Sequence, residues 1–215
     1  MSQNTNTRQG KWIYLFFKRL IDIIISLVAL FCMIPLFLVL YIIYHCGRDR
    51  GPLFYKQERV GKKGRKFMIY KFRSMIVGAE DKLRENPQLY QAYVKNNYKL
   101  PPESDPRITR LGRFLRKTSI DELPQFINIL KGEMTLIGPR PIIEKELREY
   151  GDQVDKLLSV TPGAMGYWQA SGRSNIGYPK RCKYELYYVD HASFIFDLKI
   201  LFKNIISIFK GEGAY

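Results

Sequence analysis

At 215 residues the chain has room for one domain and little more. Its 35 Lys+Arg against 20 Asp+Glu give a formal net charge of +15, which points to an anionic partner: nucleic acid, an anionic membrane surface or a phosphate-rich substrate. A hydrophobic content of 46% with 14% aromatic residues excludes a disordered basic tail, because there is ample apolar surface to bury.

Leu20 to Tyr44 reads LIDIIISLVALFCMIPLFLVLYIIY, with Asp22 as its only charge. At ~1.5 Å per helical residue it is long enough for ~30 Å of hydrocarbon. No small-residue cleavage site follows, so the segment reads as an anchor. Lys11, Lys18 and Arg19 precede it while Arg48 and Arg50 follow, so the positive-inside rule favours neither orientation. Pro35 deletes a helical hydrogen bond near the middle and bends the helix. A simple span and a helix that returns to its side of entry are both open. Cys32, Cys46 and Cys182 form no CxxC, and with only His45 and His191 beside them a Cys/His zinc site is not expected; unpaired thiols suit a reducing compartment.

Residues 53–73 predict a β-hairpin, LFYKQERV and KFMIYKFRS joined through Gly61-Lys-Lys-Gly64. Lys71 or Arg73, at the end of its second strand, is placed to reach a site. A polar helix is expected over 78–97, stopped by LPPESDPR, and LGRFLRK forms a short basic helix. A loop at GEMTLIGPRP, a helix over about 142–158 and a Gly-rich loop at TPGAMGYWQASGR come next. In the last helix Lys199 and Lys203 are spaced i, i+4 among Phe196, Ile200, Phe202, Ile206 and Phe209. That pattern suits either a helix lying in the headgroup plane or a core helix.

The chemistry concentrates in RKTSIDELPQFINILKG, residues 116–132. Ser119 and Glu122 have capping-box spacing, and Pro124 is tolerated in a first turn. Asp121 and Glu122 then sit at a helix N-terminus, where the dipole should depress a carboxylate pKa. An ionised carboxylate there can cap, ligate Mg²⁺ or attack phosphorus. Arg116, Arg140 between two prolines, and Arg173 in Ser171-Gly-Arg173 are read as phosphate-binding cations in rigid loops. Gly138, Gly163, Gly166 and Gly172 would let backbone N–H groups approach phosphate oxygens.

The segments KRLIDIIIS, GPLFYKQERVGKKGRKFMIYKFRSM, DPRITRLGRFLRKTSIDELPQFINILKGEMTLIGPRP and TPGAMGYWQASGR follow in order. From about Lys18 to Tyr215 the chain resembles the catalytic module of the bacterial sugar transferases called monotopic phosphoglycosyl transferases. The resemblance implies an α+β, mostly helical monotopic membrane protein with an N-terminal re-entrant helix bent at Pro35, a β-hairpin and amphipathic interfacial helices. It divides the chain into a tail (1–17), an anchor (18–46) and a cytoplasmic catalytic domain (47–215), on the cytoplasmic face of the bacterial inner membrane.

The resemblance also implies a ping-pong reaction with Asp121 as nucleophile and Mg²⁺ ligand, and Glu122 as its acidic partner. Arg116, Arg140 and Arg173 match phosphate-binding positions, and Lys71 is added from the hairpin. The implied partners are a UDP-hexose, with glucose or galactose favoured by GYWQASGR, Tyr178 and GEGAY, then undecaprenyl phosphate and anionic lipid; a homodimer is left open. Ile34 stands where the family commonly has Ser, which removes a side chain able to satisfy freed carbonyls at the bend. A nucleic-acid module stacking bases on Phe54, Tyr55, Phe67, Tyr70 and Phe72 is the rival reading. It leaves the Asp121–Glu122 pair among arginines unexplained, so no nucleic-acid partner is expected.

Overall fold

The computed structural model describes residues 3–47, 49–95, 100–101, 103, 105–172 and 176–209. Helix α1 (Gln3–Cys32) and helix α2 (Ile34–Cys46) meet at Met33 with a bend of 52°. Pro35 is the second residue of α2, so the bend lies just ahead of the ring whose missing N–H would otherwise have bonded back into α1. Among the described residues no single helix is long and apolar enough to cross a membrane; the bent pair passes on length and composition only when taken together. Both helices leave large apolar side chains exposed, among them Trp12, Phe16, Phe31, Leu38 and Ile42.

The expected hairpin forms from β1 (Phe54–Val60) and β2 (Lys66–Phe72), paired antiparallel with Tyr55 opposite Lys71 and Arg59 opposite Phe67. Opposed residues share a face, so Tyr55, Gln57, Arg59, Ile69 and Lys71 line one side. On the other side Phe54 and Phe72 pack against Phe37 of α2. The region 78–97 is two helices where one was expected, α3 (Ala79–Arg84) and α4 (Pro87–Lys95). Pro87 cannot continue a helix but can start one. Helix α5 (Arg110–Lys117) follows, with Thr109 accepting from the Gly112 N–H as its cap, then α6 (Gln125–Lys131).

The expected loop after α6 contains β3 (Thr135–Ile137), which pairs in parallel with β4 (Gly163–Met165) inside the Gly-rich segment. A 3₁₀ run over Glu144–Gln153, broken at Gly151, and the short α7 (Val154–Leu157) occupy the span expected as one helix. Helices α8 (Lys180–His191) and α9 (Phe194–Phe209) are the last described elements. Helix α9 buries Asp197, Ile200 and Asn204 while exposing Phe194, Ile195, Leu198, Phe202 and Ile206. Its apolar side faces outward, which a core helix would not do.

Charges on α1 fasten it to the rest. Lys18 pairs with Asp197, which also accepts from Tyr14 (2.8 Å) and Tyr188 (2.7 Å). Arg19 donates to the carbonyls of Ile129 and Leu130 at the end of α6. Asp22, the lone acid of the apolar run, accepts from Thr135 Oγ1 (2.7 Å) and the Leu136 N–H (2.9 Å) of β3.

Asn128, with no exposed surface, clamps α6 to the hairpin. Its Oδ1 accepts from the Tyr70 N–H (3.0 Å) and its Nδ2 donates to the Met68 carbonyl and to Glu133, both at 2.7 Å. Asn128→Ala strands two backbone groups, at about 1–3 kcal/mol each, and should lower the unfolding midpoint sharply. Asn128→Asp should be worse, since it sets an acceptor against a carbonyl and a carboxylate. Denaturant melts of the two variants in detergent check the order; equal midpoints for both variants and the parent would remove the clamp.

Candidate active site

Helix α5 ends at Thr118, and Ser119 takes a left-handed conformation at φ 57°. A non-glycine residue held there costs about 1–3 kcal/mol, and the effect is to turn the chain abruptly into one 3₁₀ turn, Ile120–Glu122. The expected Ser119–Glu122 capping box is absent: Ser119 makes no capping bond, and the Glu122 carboxylate instead accepts from Lys71 Nζ at 2.6 Å. Helix α6 begins only at Gln125, with Pro124 at its N-cap, so Asp121 stands outside its first turn.

That placement overturns the expected depression of the Asp121 pKa. Asp121 is 8% exposed, and burial pushes its carboxyl up to about 6, helped by Glu122 and opposed by Lys71 and Arg116. Helix dipoles act only within the first turn, whereas desolvation acts wherever the group is buried. The raised value means a largely protonated Asp121 below about pH 6 and an ionised one above. A hydrophobic carbodiimide, which attacks protonated buried carboxyls, should label Asp121 of metal-free protein about tenfold more at about pH 5 than at about pH 7. Peptide mass spectrometry reads this, and labelling that stays flat across the interval would mean an ordinary acid.

Arg116 lies on the last turn of α5, not in the rigid loop expected for it. Its Nε donates to Ser74 Oγ (2.9 Å). Burial lowers its pKa, while Asp121 and then Asp105 pull it back. Beside this group a cleft of about 260 Å³ is lined by Arg59, Lys71, Glu122, Gln125, Arg140 and Gln169. Asp121 and Arg116 are not in its lining; Glu122, next in the chain, joins them to it. Arg73, the other hairpin cation considered, donates instead to the carbonyls of Pro52, Met75 and Asp49 and holds the 49–53 turn.

The glycines serve packing. A Cβ on Gly163 would stand 2.1 Å from the Gly138 nitrogen, so β3 and β4 approach this closely only through two glycines. Their N–H groups are spent, Gly138 to the Met165 carbonyl (3.0 Å) and Gly163 to the Pro139 carbonyl (2.7 Å). The Gly166 N–H donates to Gln169 Oε1 (2.6 Å). These three amides are therefore not free to cradle phosphate as expected. Arg173 lies outside the described residues.

Arg140, delivered by the β3 strand, has no ion pair and no hydrogen bond among the described residues; its guanidinium lies 5.8 Å from the Trp168 ring. Its neighbours are engaged, though Arg59 Nε and Arg181 Nη2 are buried without a hydrogen-bond partner among the described residues. Arg59 donates to the Pro141 carbonyl and Gln57 and approaches Glu146 at 3.8 Å. Arg181 bonds Glu185 (2.9 Å) and approaches Glu146 at 3.6 Å. Burial first, then Arg140, lowers the Arg59 pKa to about 10. Arg59, Gln125, Gln169 and the Arg181–Glu185 pair were not singled out from sequence. Strand alternation places Arg59 on the Lys71 face and was the one signal available for it.

The model of the bacterial sugar transferase family matches residues 13–211, a span that takes in the buried Asp121, Glu122 and the basic cleft. The chain belongs to that family. Among bacterial sugar transferases, it is 43% identical over 203 residues to the undecaprenyl-phosphate galactose phosphotransferase of Salmonella typhimurium, covering 93% of this chain and 42% of that protein. It is 44% identical over 204 residues to the UDP-galactose-lipid carrier transferase of Erwinia amylovora, with coverage of 93% and 42%. Against the exopolysaccharide production protein ExoY of Sinorhizobium fredii, identity is 39% over 202 residues and coverage 92% and 88%. The chain thus spans less than half the length of the first two of these relatives and most of the third.

Proposed function

We propose that this chain is a phosphoglycosyl transferase that moves a hexose 1-phosphate from a UDP-sugar to undecaprenyl phosphate and so initiates a surface glycan such as capsule, exopolysaccharide or O-antigen, or a glycoprotein glycan. The observation that carries it is the buried Asp121 carboxylate, acted on by Lys71, Glu122 and Arg116. In the first step an Asp121 oxygen attacks the sugar-linked phosphorus, the bond to the bridging oxygen breaks, and UMP leaves. In the second, an oxygen of undecaprenyl phosphate attacks the same phosphorus and Asp121 is released. Desolvation strengthens the carboxylate as a nucleophile once it is ionised. Lys71 holds Glu122 at 2.6 Å. Arg116 and Arg140, with Arg173 beyond the described residues, supply charge for the phosphates.

The donors present suit Mg²⁺: an oxygen-only pair, Asp121 and Glu122, with no cluster of three or more His, Cys, Asp or Glu among the described residues. Mg²⁺ typically takes one or two carboxylates and fills its sphere with water and substrate phosphate. Bound by Asp121, it would gather charge on the pyrophosphate oxygens.

The galactose-named relatives support a hexose donor. The 52° bend and the exposed apolar sides of α1, α2 and α9 support a re-entrant anchor over 18–46, preceded by a tail over 1–17 and followed by a catalytic domain over 47–215 at the cytoplasmic face of the inner membrane. In that placement Lys199 and Lys203, exposed on α9, lie near anionic headgroups. The base-stacking rival loses ground because Phe54 and Phe72 are occupied by Phe37. The purified chain with Mg²⁺ and undecaprenyl phosphate should release UMP from UDP-galactose or UDP-glucose. UMP release from neither, nor from any UDP-sugar of a wider panel, would defeat the reading.

A further inference from the structure

Lys71 and Tyr70 are adjacent on β2 and so point to opposite faces of the hairpin. Lys71 belongs to the cleft; Tyr70 gathers a separate set of cations that the reaction leaves unused. Lys131 at the end of α6 donates from Nζ to the Tyr70 hydroxyl at 3.0 Å and lies 4.7 Å from the ring centroid. Lys56, directly across the strand pair from Tyr70, brings its Nζ within 5.4 Å of the same ring. Among the described residues neither lysine makes an ion pair. Glu133, which acts on Lys131 at longer range, already accepts from Asn128.

Two ammonium groups drawn to one ring repel each other, and the ring's attraction is worth only about 0.5–1 kcal/mol at exposed sites. An anion between them would turn that repulsion into binding. The position selects the anion. Tyr70 packs edge-on against Phe54 (6.3 Å), which packs against Phe37 of the bent helix α2 (5.9 Å). On the other side, Leu130, the residue before Lys131, has its carbonyl bound by Arg19 of α1 (2.8 Å). Arg19 immediately precedes the apolar run, whose exposed side chains begin at Leu20 and Ile24. The lysine pair therefore stands where the apolar anchor meets the polar domain, at the depth of lipid phosphates if the anchor is embedded.

We propose that Lys56, Lys131 and the Tyr70 hydroxyl bind the phosphate group of a membrane lipid, on the face of the hairpin opposite the Lys71–Glu122 cleft. The site rests on the membrane placement proposed above and is independent of the Asp121 chemistry. It would hold a lipid phosphate against the domain while the other face of the same strand serves the donor.

The full chain in a neutral detergent, mixed with phosphatidylglycerol or with a polyprenol monophosphate, can be examined by native mass spectrometry. The parent should retain lipid, and Lys56→Gln/Lys131→Gln should retain it about tenfold less, the equivalent of one strong charge-assisted contact. Tyr70→Phe should fall between. Loss for both lipids assigns a general lipid-phosphate site, and loss for the polyprenol phosphate alone assigns a holding site for that lipid apart from the Asp121 step; either supports the proposal. Retention by the double variant equal to the parent's, with its circular dichroism unchanged, overturns it. So does displacement of lipid by equimolar inorganic phosphate, which would mark a site for a soluble anion. Asp121→Asn should bind lipid like the parent, so a failure of the covalent chemistry and a failure of the lipid site read differently.

Discussion

Asp121→Asn should abolish turnover, by at least ~10⁴-fold, as removal of a nucleophile does in enzymes with covalent intermediates. The substitution keeps the shape of the side chain and removes the group whose ionisation burial opposes, so the unfolding midpoint should hold or rise. The two readouts moving apart separates a reacting group from a structural one. A second measurement fixes the order of steps. With a UDP-sugar and Mg²⁺ but no lipid, the parent should gain the mass of one sugar phosphate, on the peptide carrying Asp121, and the Asn variant should not. A parent that turns over yet never shows the adduct would point to direct transfer between the two substrates. Glu122→Gln should retain the adduct if Glu122 only balances charge with Lys71.

How much of this was readable beforehand depended on the range over which each signal acts. The hairpin was legible because its information is local: β-prone runs on either side of Gly61 and Gly64, where the turn forms. The bend near Pro35 was legible for the same reason, as a missing N–H is a property of one residue. The β3–β4 pair was not, since each strand has three residues and the pairing is made by a close approach of Gly138 to Gly163 from distant segments. The capping box at Ser119 failed because Pro124 and the left-handed Ser119 delay α6 to Gln125, and Glu122 finds Lys71 across the fold. Asp121 was singled out by its company in the chain, yet the direction of its pKa was misjudged. Burial is a tertiary quantity, and it outweighs a dipole whose helix starts four residues later. Asp22 was noticed as a lone acid in an apolar run, and such a charge requires a partner; nothing in the run itself said that the partner would be β3.

Replacing Arg140 should cost about 10²–10³-fold in turnover, the usual loss when one charged donor is taken from a site where charge develops. The expectation follows from an imbalance in the buried cluster. Arg59, Arg140 and Arg181 share two carboxylates, Glu146 and Glu185, and both go to Arg59 and Arg181. Arg140 is left over, at the cleft wall, and its charge helps depress the Arg59 pKa. A guanidinium that repels its neighbour and pulls on Glu185 only at longer range contributes little to folding. Arg140→Ala should therefore leave the unfolding midpoint unchanged or slightly raised while activity collapses. Arg140→Lys keeps the charge but loses the planar fork that grips two phosphate oxygens, and should recover only part of the loss. If Arg140→Ala lowers stability and activity together, the residue is holding Trp168 and the β3–β4 turn, and the phosphates must be met by Arg116 and Lys71 instead.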